Sequence, residues 1–320
     1  MNKSRTSVYS LLTVGICLVL MTGGTTSKIK PSEQNFSFDV LADPRSKDST
    51  WKNTLLTIRD RNTNPESTFT PSELILVVGD MGPLASRHEE YKQVFTNASL
   101  FPVFLPVIGN HEFSNFGACF RYARDVLVPA IPHVFCQHAA SCDYYVDYKN
   151  ARMIVVDGYS TLGKDGVIND KGRQWVEQVI KTTPPAIDHI FISFHEPAFP
   201  RSAHIGDSFD QDLEKRNAFW RMLLGYKDRV HAVFVGHTHV YCRMRILDPA
   251  GAAANDPTSF PNEEGGIYQI NAGADGVTSI NTIVQVQVEG KNVYFSALQT
   301  KKGEKEPFAE VDRWSLLQKP

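Results

Sequence analysis

The chain has 320 residues, of which 42% are hydrophobic and 21% are charged, the composition of an ordinary globular protein. Its formal net charge is −2, from 33 basic and 35 acidic residues, and no basic stripe stands out. We therefore expect no nucleic-acid binding driven by charge alone.

The N-terminus has the pattern of a secretory signal peptide. Lys3 and Arg5 precede an apolar segment at Val8–Met21, and small residues follow. This segment is shorter than the ~20 residues that span a bilayer. We predict that residues 1–26 are removed and that the mature form is secreted or periplasmic, with no stable membrane span. An uncleaved N-terminal anchor is the alternative.

Four cysteines remain after the predicted cleavage, and export would permit disulfides between them. Cys136 and Cys142 are close in sequence and could pair with each other or with Cys119. The sequence leaves the connectivity open.

Six short runs rich in Val, Ile, Leu or Phe predict buried strands. They are Phe38–Ala42, Leu74–Val78, Val103–Ile108, Ala151–Val156, Ile190–Phe194 and Val230–Val235. Helical patterns lie between several of them, at Trp51–Asp60, Glu89–Asn97, Lys171–Thr182 and Asp210–Leu224. Alternating strands and helices predict an α/β layered fold with covered sheets.

The C-terminal third changes character. Gly266–Asn271, Ile283–Val288 and Val293–Ala297 resemble strands with little helix between them, which predicts a second, largely antiparallel sheet. Strict alternation of apolar and polar residues in Ile283–Val288 predicts that one face of that strand is more exposed to solvent. We predict one domain over residues 32–300 and a C-terminal tail over 301–320.

Histidine, aspartate and asparagine follow the ends of five apolar runs. The motifs are Asp43, Gly79-Asp80, Gly109-Asn110-His111-Glu112, His195-Glu196-Pro197 and Gly236-His237-Thr238-His239. Side chains at the carboxyl ends of strands face the crevice where α/β sheets build sites. Mixed imidazole and oxygen donors favour Zn, Mn, Fe or Co over Mg or Ca. A shared carboxylate can hold two ions ~3.5–4 Å apart, as in two-metal hydrolytic sites.

With these motifs in this order, the chain resembles the calcineurin-like metallophosphoesterases, a family that includes the purple acid phosphatases. The resemblance implies a four-layer α/β/β/α sandwich of two mixed sheets flanked by helices. It implies one metal held by Asp43, Asp80 and His239. It also implies a second metal, with Asp80 bridging, whose ligands are Asp80, Asn110, His195 and His237. His111 would approach the phosphate as general acid or as stabiliser of developing charge.

Two positions depart from the family pattern. Arg45 stands where the family has His or Gln, or Gly in purple acid phosphatases. Pro83 stands where Asp, Asn or Tyr is usual, so the tyrosinate ligand of the purple enzymes is missing and we predict no purple colour. A guanidinium has no lone pair to give a metal, but its fork fits phosphate. We predict that Arg45 binds phosphoryl oxygens; a surface pair with Asp48 is the alternative.

Two further side chains have alternative interpretations. His204 follows the His195 strand in a loop, where it could contact substrate or simply face solvent. Glu112 could orient the His111 loop or only cap a helix.

The sequence thus predicts an exported phosphoesterase with two metal ions, of Mn, Fe or Zn, that hydrolyses phosphate mono- or diesters by attack of a metal-activated hydroxide. The substrate would be a small phosphate ester or a phosphorylated molecule, and no nucleic-acid specificity is evident. One alternative is a catalytically inactive metal- or phosphate-binding protein of the same fold. Another is a cell-surface interaction protein with a structural metal.

Overall fold

The computed structural model describes residues 34–45, 48–67, 70–96, 101–114, 117–136, 141–251, 265–300 and 307–317. The predicted signal peptide at 1–26 lies outside these residues. Within the described ranges, no helix combines the length and the apolar character that crossing a membrane requires.

The first sheet has six strands in the order β15-β14-β13-β1-β2-β3. Strands β1, β2 and β3 run parallel, whereas β13, β14 and β15 continue the sheet beyond β1 in antiparallel steps. Their bounds are Asn35–Leu41 (β1), Ser72–Val78 (β2), Val103–Val107 (β3), Thr282–Glu289 (β13), Asn292–Gln299 (β14) and Ala309–Leu316 (β15).

The second sheet has seven strands in the order β11-β12-β10-β9-β6-β5-β4. The four central strands run parallel, and the outer strands on both sides are antiparallel. Their bounds are Val134–Cys136 (β4), Tyr144–Tyr148 (β5), Ala151–Val155 (β6), His189–Ser193 (β9), Val230–Val235 (β10), Tyr241–Ile246 (β11) and Ile267–Ala272 (β12). A separate two-stranded ribbon joins Gly163–Lys164 (β7) and Val167–Ile168 (β8).

Helices cover the outer face of each sheet. They are Asp48–Thr63 (α1), Leu84–Val94 (α2), Asn110–Ser114 (α3), Ala118–Tyr122 (α4), Val128–Ala130 (α5), Asp170–Lys181 (α6) and Leu213–Leu224 (α7). A π-helical turn at Ala123–Leu127 links α4 to α5, and a 3₁₀ turn at Phe209–Gln211 precedes α7.

Apolar side chains fill three layers between these elements. Between the sheets, the rings of Phe38 and Phe191 meet edge to face with centroids 5.2 Å apart. Trp51 and Tyr91 of α1 and α2 pack on the outer face of the first sheet. Trp220 of α7 packs on the outer face of the second sheet. The layers therefore run helix, sheet, sheet, helix, and the predicted four-layer α/β/β/α sandwich is confirmed.

The prediction that the C-terminal strands form a second, largely antiparallel sheet packed with the first is wrong. Strand β12 joins the second sheet beside β10, while β13 pairs with β1 of the first sheet. The expected wet face of β13 is also mostly covered, because Gln285 is buried and donates to the carbonyl of Thr70 at 3.1 Å. Each C-terminal strand completes a sheet that begins in the N-terminal half, a pairing that local sequence does not encode.

Several element limits differ from the sequence predictions. Helix α2 begins at Leu84 and ends at Val94, earlier than predicted, because Phe95 leaves helical geometry. Helix α7 begins at Leu213, where the Asp212 carboxylate caps it by accepting from the Lys215 amide at 3.0 Å. Strand β15 lies in the region predicted as a tail, so the predicted limit at residue 300 leaves one strand outside.

No disulfide joins the three cysteines considered in the sequence. Cys119, Cys136 and Cys142 are free thiols in this part of the chain, and Cys142 is buried.

Candidate metal centre

The six predicted metal ligands converge at one end of the sandwich. Asp43, Asp80 and Asn110 follow β1, β2 and β3 of the first sheet, while the three histidines follow β9 and β10 of the second. Donor atoms of Asp43, Asp80 and His239 lie within 4.8 Å of one another. His195 Nε2 lies 3.4 Å from Asp80 Oδ1 and 3.9 Å from Asp43 Oδ1. The His237 ring lies 5.2 Å from the His195 ring.

The backbone at this end is held in a conformation that non-glycine residues rarely adopt. Asp43, Asp80, His237 and His239 all have positive φ, between 52° and 70°. Such left-handed residues cost free energy and cluster at functional sites. The turns place each ligand side chain above its strand, which an extended continuation would not do. This accounts for two ligands in His237-Thr238-His239.

The motif glycines allow these loops to approach closely. A side chain at Gly79, which has φ of 79°, would overlap the His195 ring. A Cβ at Gly109 would lie 2.5 Å from Asp80 Oδ1, and one at Gly236 would lie 2.7 Å from the Val78 carbonyl oxygen. Only a hydrogen at these three positions lets the loops from both sheets meet.

Three ligand side chains each make a hydrogen bond to the backbone through one polar atom, while their second polar atom makes no hydrogen bond. The His195 Nδ1–H donates to the Val78 carbonyl at 2.8 Å, which leaves a lone pair on Nε2. Asp43 Oδ2 accepts from the His237 amide at 3.0 Å, and Asp80 Oδ1 accepts from the His111 amide at 3.0 Å. Such outer partners orient metal ligands.

The remaining donor atoms are buried and have no hydrogen-bond partner among the described residues. They are Asp43 Oδ1, Asp80 Oδ2, Asn110 Oδ1, His195 Nε2 and His237 Nε2. Buried polar atoms are normally paired, so a convergent set of unpaired ones calls for a ligand. Mixed nitrogen and oxygen donors suit Mn, Fe or Zn. These residues fit the metal ions that the resemblance implies.

Burial shifts the pKa values of these groups in opposite directions. Burial raises the pKa of Asp43, and Asp80 adds to the rise, against lowering by His239 and His195. Burial lowers the pKa of His237 to about 2, and the neighbouring His195 lowers it further. Burial also opposes the charged form of His195, but Asp80 and Asp43 outweigh it, so its pKa is raised. His237 therefore keeps a free lone pair at neutral pH.

Glu112 joins two of the ligand loops. Its Oε2 accepts from the amides of Asp80 at 2.8 Å and Gly109 at 2.9 Å, and the side chain is fully buried. Burial, followed by the charge of Asp80, raises its pKa to about 8. Of the two roles considered for Glu112, the geometry favours orientation of the ligand loops.

Arg45 turns into the site rather than away from it. Its Nε lies 3.5 Å from Asp80 Oδ2, and its Nη2 lies 3.4 Å from His239 Nε2. Its Nη1 donates to His111 Nε2. Burial lowers the pKa of His111; Asp80 raises it and Arg45 lowers it, with a net decrease. His111 also lies 3.7 Å from Asp80, at the rim of the metal ligands.

The ring of His204 lies beside two of the ligand histidines. Its ring centroid is 4.1 Å from that of His237 and 6.2 Å from that of His239. Its Nδ1 lies 3.3 Å from Asp207 Oδ2, and donors of His204, Asp207 and His237 lie within 4.8 Å of one another. Asp207 carries no sequence signal of its own, since an exposed loop aspartate three residues from a histidine is common.

A second buried carboxyl beside the ligands was also not assigned a role. Glu196 follows His195 and accepts from the Tyr159 hydroxyl at 2.7 Å. Burial raises the pKa of Glu196 to about 7. In the sequence, Glu196 stood out only as part of the His195-Glu196-Pro197 motif. Its partner Tyr159 lies in a distant segment, so their hydrogen bond could not be predicted.

Comparison with solved structures finds the same fold in proteins of low sequence identity. A purple acid phosphatase from yellow lupin (Lupinus luteus) seeds superposes with a TM-score of 0.60 at 14% identity, over 88% of this chain and 53% of that one. PhoD superposes with a TM-score of 0.53 at 10% identity, over 87% of this chain and 72% of that one. The chain thus spans about half the length of the lupin enzyme.

No curated protein matches the chain in sequence. A family model described as calcineurin-like phosphoesterase matches residues 37–241, which is more than half of the chain and includes all six predicted ligands. The chain belongs to the calcineurin-like phosphoesterase family.

Proposed function

We propose that this protein is an exported phosphoesterase that uses two metal ions to hydrolyse phosphate mono- or diesters. One observation carries the proposal: buried donor atoms from five strand ends converge and have no hydrogen-bond partner among the described residues. Asp43, Asp80 and His239 would hold one ion. Asp80 would share the other with the remaining three ligands, Asn110, His195 and His237.

Metal ions at these positions would neutralise phosphoryl charge and make hydroxide available near neutral pH. The chain's own side chains supply the rest. His111, at the rim and outside the ligand set, is placed to give a proton to the leaving oxygen or to stabilise charge there. Arg45 lies beside Asp80 and the His204 ring lies against that of His237, and both would bind phosphoryl oxygens.

A turnover assay tests the proposal. The mature chain is freed of metal by chelation and assayed on aryl phosphate mono- and diesters, with and without Mn²⁺, Fe²⁺ or Zn²⁺. We expect hydrolysis that depends on added metal. Absence of hydrolysis with every metal and ester would contradict the proposal.

A second candidate function is binding of metal and phosphate without turnover. The observation that favours it is the hydrogen bond from Arg45 to His111 Nε2, which engages the atom that would transfer a proton. This candidate predicts that phosphate and metal bind, as measured by calorimetry, while no ester is cleaved.

Export rests on the N-terminal sequence alone. Expression with residues 1–26 present, in a host with a secretory pathway, should yield a protein whose mass lacks that segment. A full-length mass in the membrane fraction would favour the uncleaved anchor instead.

A further inference from the structure

The first metal position holds a positively charged side chain of the protein's own. The Arg45 guanidinium lies 3.5 Å from Asp80 Oδ2 and 3.4 Å from His239 Nε2. Donor atoms of Asp80 and His239 lie within 4.8 Å of each other and of a donor atom of Asp43. The guanidinium and an ion at that position would therefore use the same two side chains.

The second position is arranged differently. Among the described residues, no hydrogen bond or ion pair joins Arg45 to Asn110, His195 or His237. The lone pairs of His195 Nε2 and His237 Nε2 have no hydrogen-bond partner there. A metal ion can approach these three donors without displacing a charged side chain.

We propose that Arg45 competes with the first metal ion for Asp80 and His239, so that the two metal positions differ greatly in affinity. The inference rests on the ligand set of the proposed function. An arginine cannot lose its proton in a protein, so it must move away when a divalent cation arrives. The same movement removes the hydrogen bond to His111 Nε2. Loading of the first ion and release of His111 are therefore one event.

The size of the effect follows from the charges. If the guanidinium stayed ~4 Å from a divalent ion, the repulsion, even at the dielectric constant of water, would lower the affinity roughly 30-fold. Moving away instead costs the guanidinium its contacts with Asp80 and His239. Partial burial increases the repulsion, since the Arg45 side chain is only 23% exposed. We expect the wild-type chain to retain one ion per molecule after gel filtration and to bind the second at least about 30-fold more weakly.

Calorimetric titration of the metal-free mature chain with Mn²⁺ and with Zn²⁺ tests this without measuring activity. In Arg45→Ala, the weaker binding event should tighten by about 30-fold or more. The stronger event should change much less, because that ion shares only Asp80 with Arg45. Arg45→Lys keeps the charge, so its weaker event should stay weak. Arg313→Ala is the matched control, because Arg313 lies on β15 and pairs with Glu310 at the surface.

The outcomes separate this inference from the proposed function. Equal affinities for both ions in the wild type, or an unchanged weaker event in Arg45→Ala, would overturn the competition. If no variant binds any metal while circular dichroism shows a native fold, the metal-based function itself fails. Tightening in Arg45→Ala but not in Arg313→Ala supports the competition even if no ester is hydrolysed.

Discussion

The two sheets contribute chemically different halves of the site. The loops of the first sheet supply oxygen donors and charge, through Asp43, Asp80 and Asn110, whereas those of the second supply imidazoles. Burial raises the pKa of Asp43 and lowers that of His237 to about 2. Burial thus disfavours the charge of Asp43 in one half and keeps the lone pair of His237 free in the other. A bound cation satisfies both halves at once, because it pairs with the carboxylates and accepts the nitrogen lone pairs.

Each half is also held in its own way. In the first sheet, the buried Glu112 carboxylate joins the Asp80 and Gly109 loops. In the second, the Asn271 amide on β12 donates to the Gly236 carbonyl at 2.6 Å and to the Thr238 hydroxyl at 2.7 Å. A titratable acceptor therefore fixes the oxygen half, and a donor that does not titrate fixes the nitrogen half. The former should respond to pH and the latter should not.

Removing one ligand from each half gives the largest expected effect. The double variant Asp80→Ala, His237→Ala deletes the shared carboxylate and a nitrogen donor. Metal affinity should fall by more than the roughly 10–100-fold that loss of an outer-shell partner costs. Elemental analysis after reconstitution and gel filtration should find little metal, and turnover should vanish. Unchanged metal content in a folded double variant would refute the ligand assignment.

Loss of His111 should give the next largest effect. His111→Ala should keep its metal and its fold but lose roughly 10²–10⁴-fold in turnover, since His111 lies outside the ligand set. If it protonates the leaving oxygen, the loss should shrink for esters with good leaving groups, which need no proton. Rates on a series of aryl phosphates measure this. An equal loss across the series would exclude the proton-transfer role and leave charge stabilisation.

Arg45→Ala should have a smaller effect on catalysis. At saturating metal, kcat/KM should fall by about 10–100-fold, the value of hydrogen bonds to a charged group, with both ions in place. Steady-state kinetics with parallel metal analysis would show it. The surface variant Arg313→Ala is again the control. If kcat/KM stays unchanged in Arg45→Ala, Arg45 does not bind the phosphoryl group.

Glu112→Gln gives the smallest expected effect, a change in how the free energy of unfolding depends on pH. It tests the contrast between the two halves. Burial raises the pKa of Glu112 to about 8 in the folded protein, whereas the unfolded chain releases this proton near the ordinary glutamate pKa of 4.5. The folded state thus binds more protons between these pH values, so the free energy of unfolding should fall as pH rises through that window.

Urea unfolding of metal-free protein at several pH values measures that dependence. The glutamine variant cannot titrate and should show a flatter profile. Asn271→Ala should lower stability without changing the slope. A wild-type stability that rises from pH 4.5 to 8 while the Glu112→Gln profile is identical would contradict the assignment.

Local sequence was sufficient for those parts of the fold and site that depend on neighbouring residues. Strand β10 was predicted with its observed bounds, because an apolar run ended by glycine is a local pattern. The motifs at strand ends identified the ligand candidates for the same reason. The structure brings five of them together and places Asn110 at the end of the neighbouring strand β3. Parallel strands align their carboxyl ends, so the order of the motifs already implied one site.

Tertiary structure decided what depends on distant segments. Which sheet β12, β13 and β15 join is set by packing between residues far apart in the chain, so strand patterns alone could not assign it. The sequence around Arg45 was equally compatible with a side chain that faces solvent. Its direction is set by Asp80, 35 positions later, and by His239, contributed by the other sheet. The sequence alone determined which side chains follow the ends of the strands. Only the packing of the two sheets decided which of these side chains contact one another.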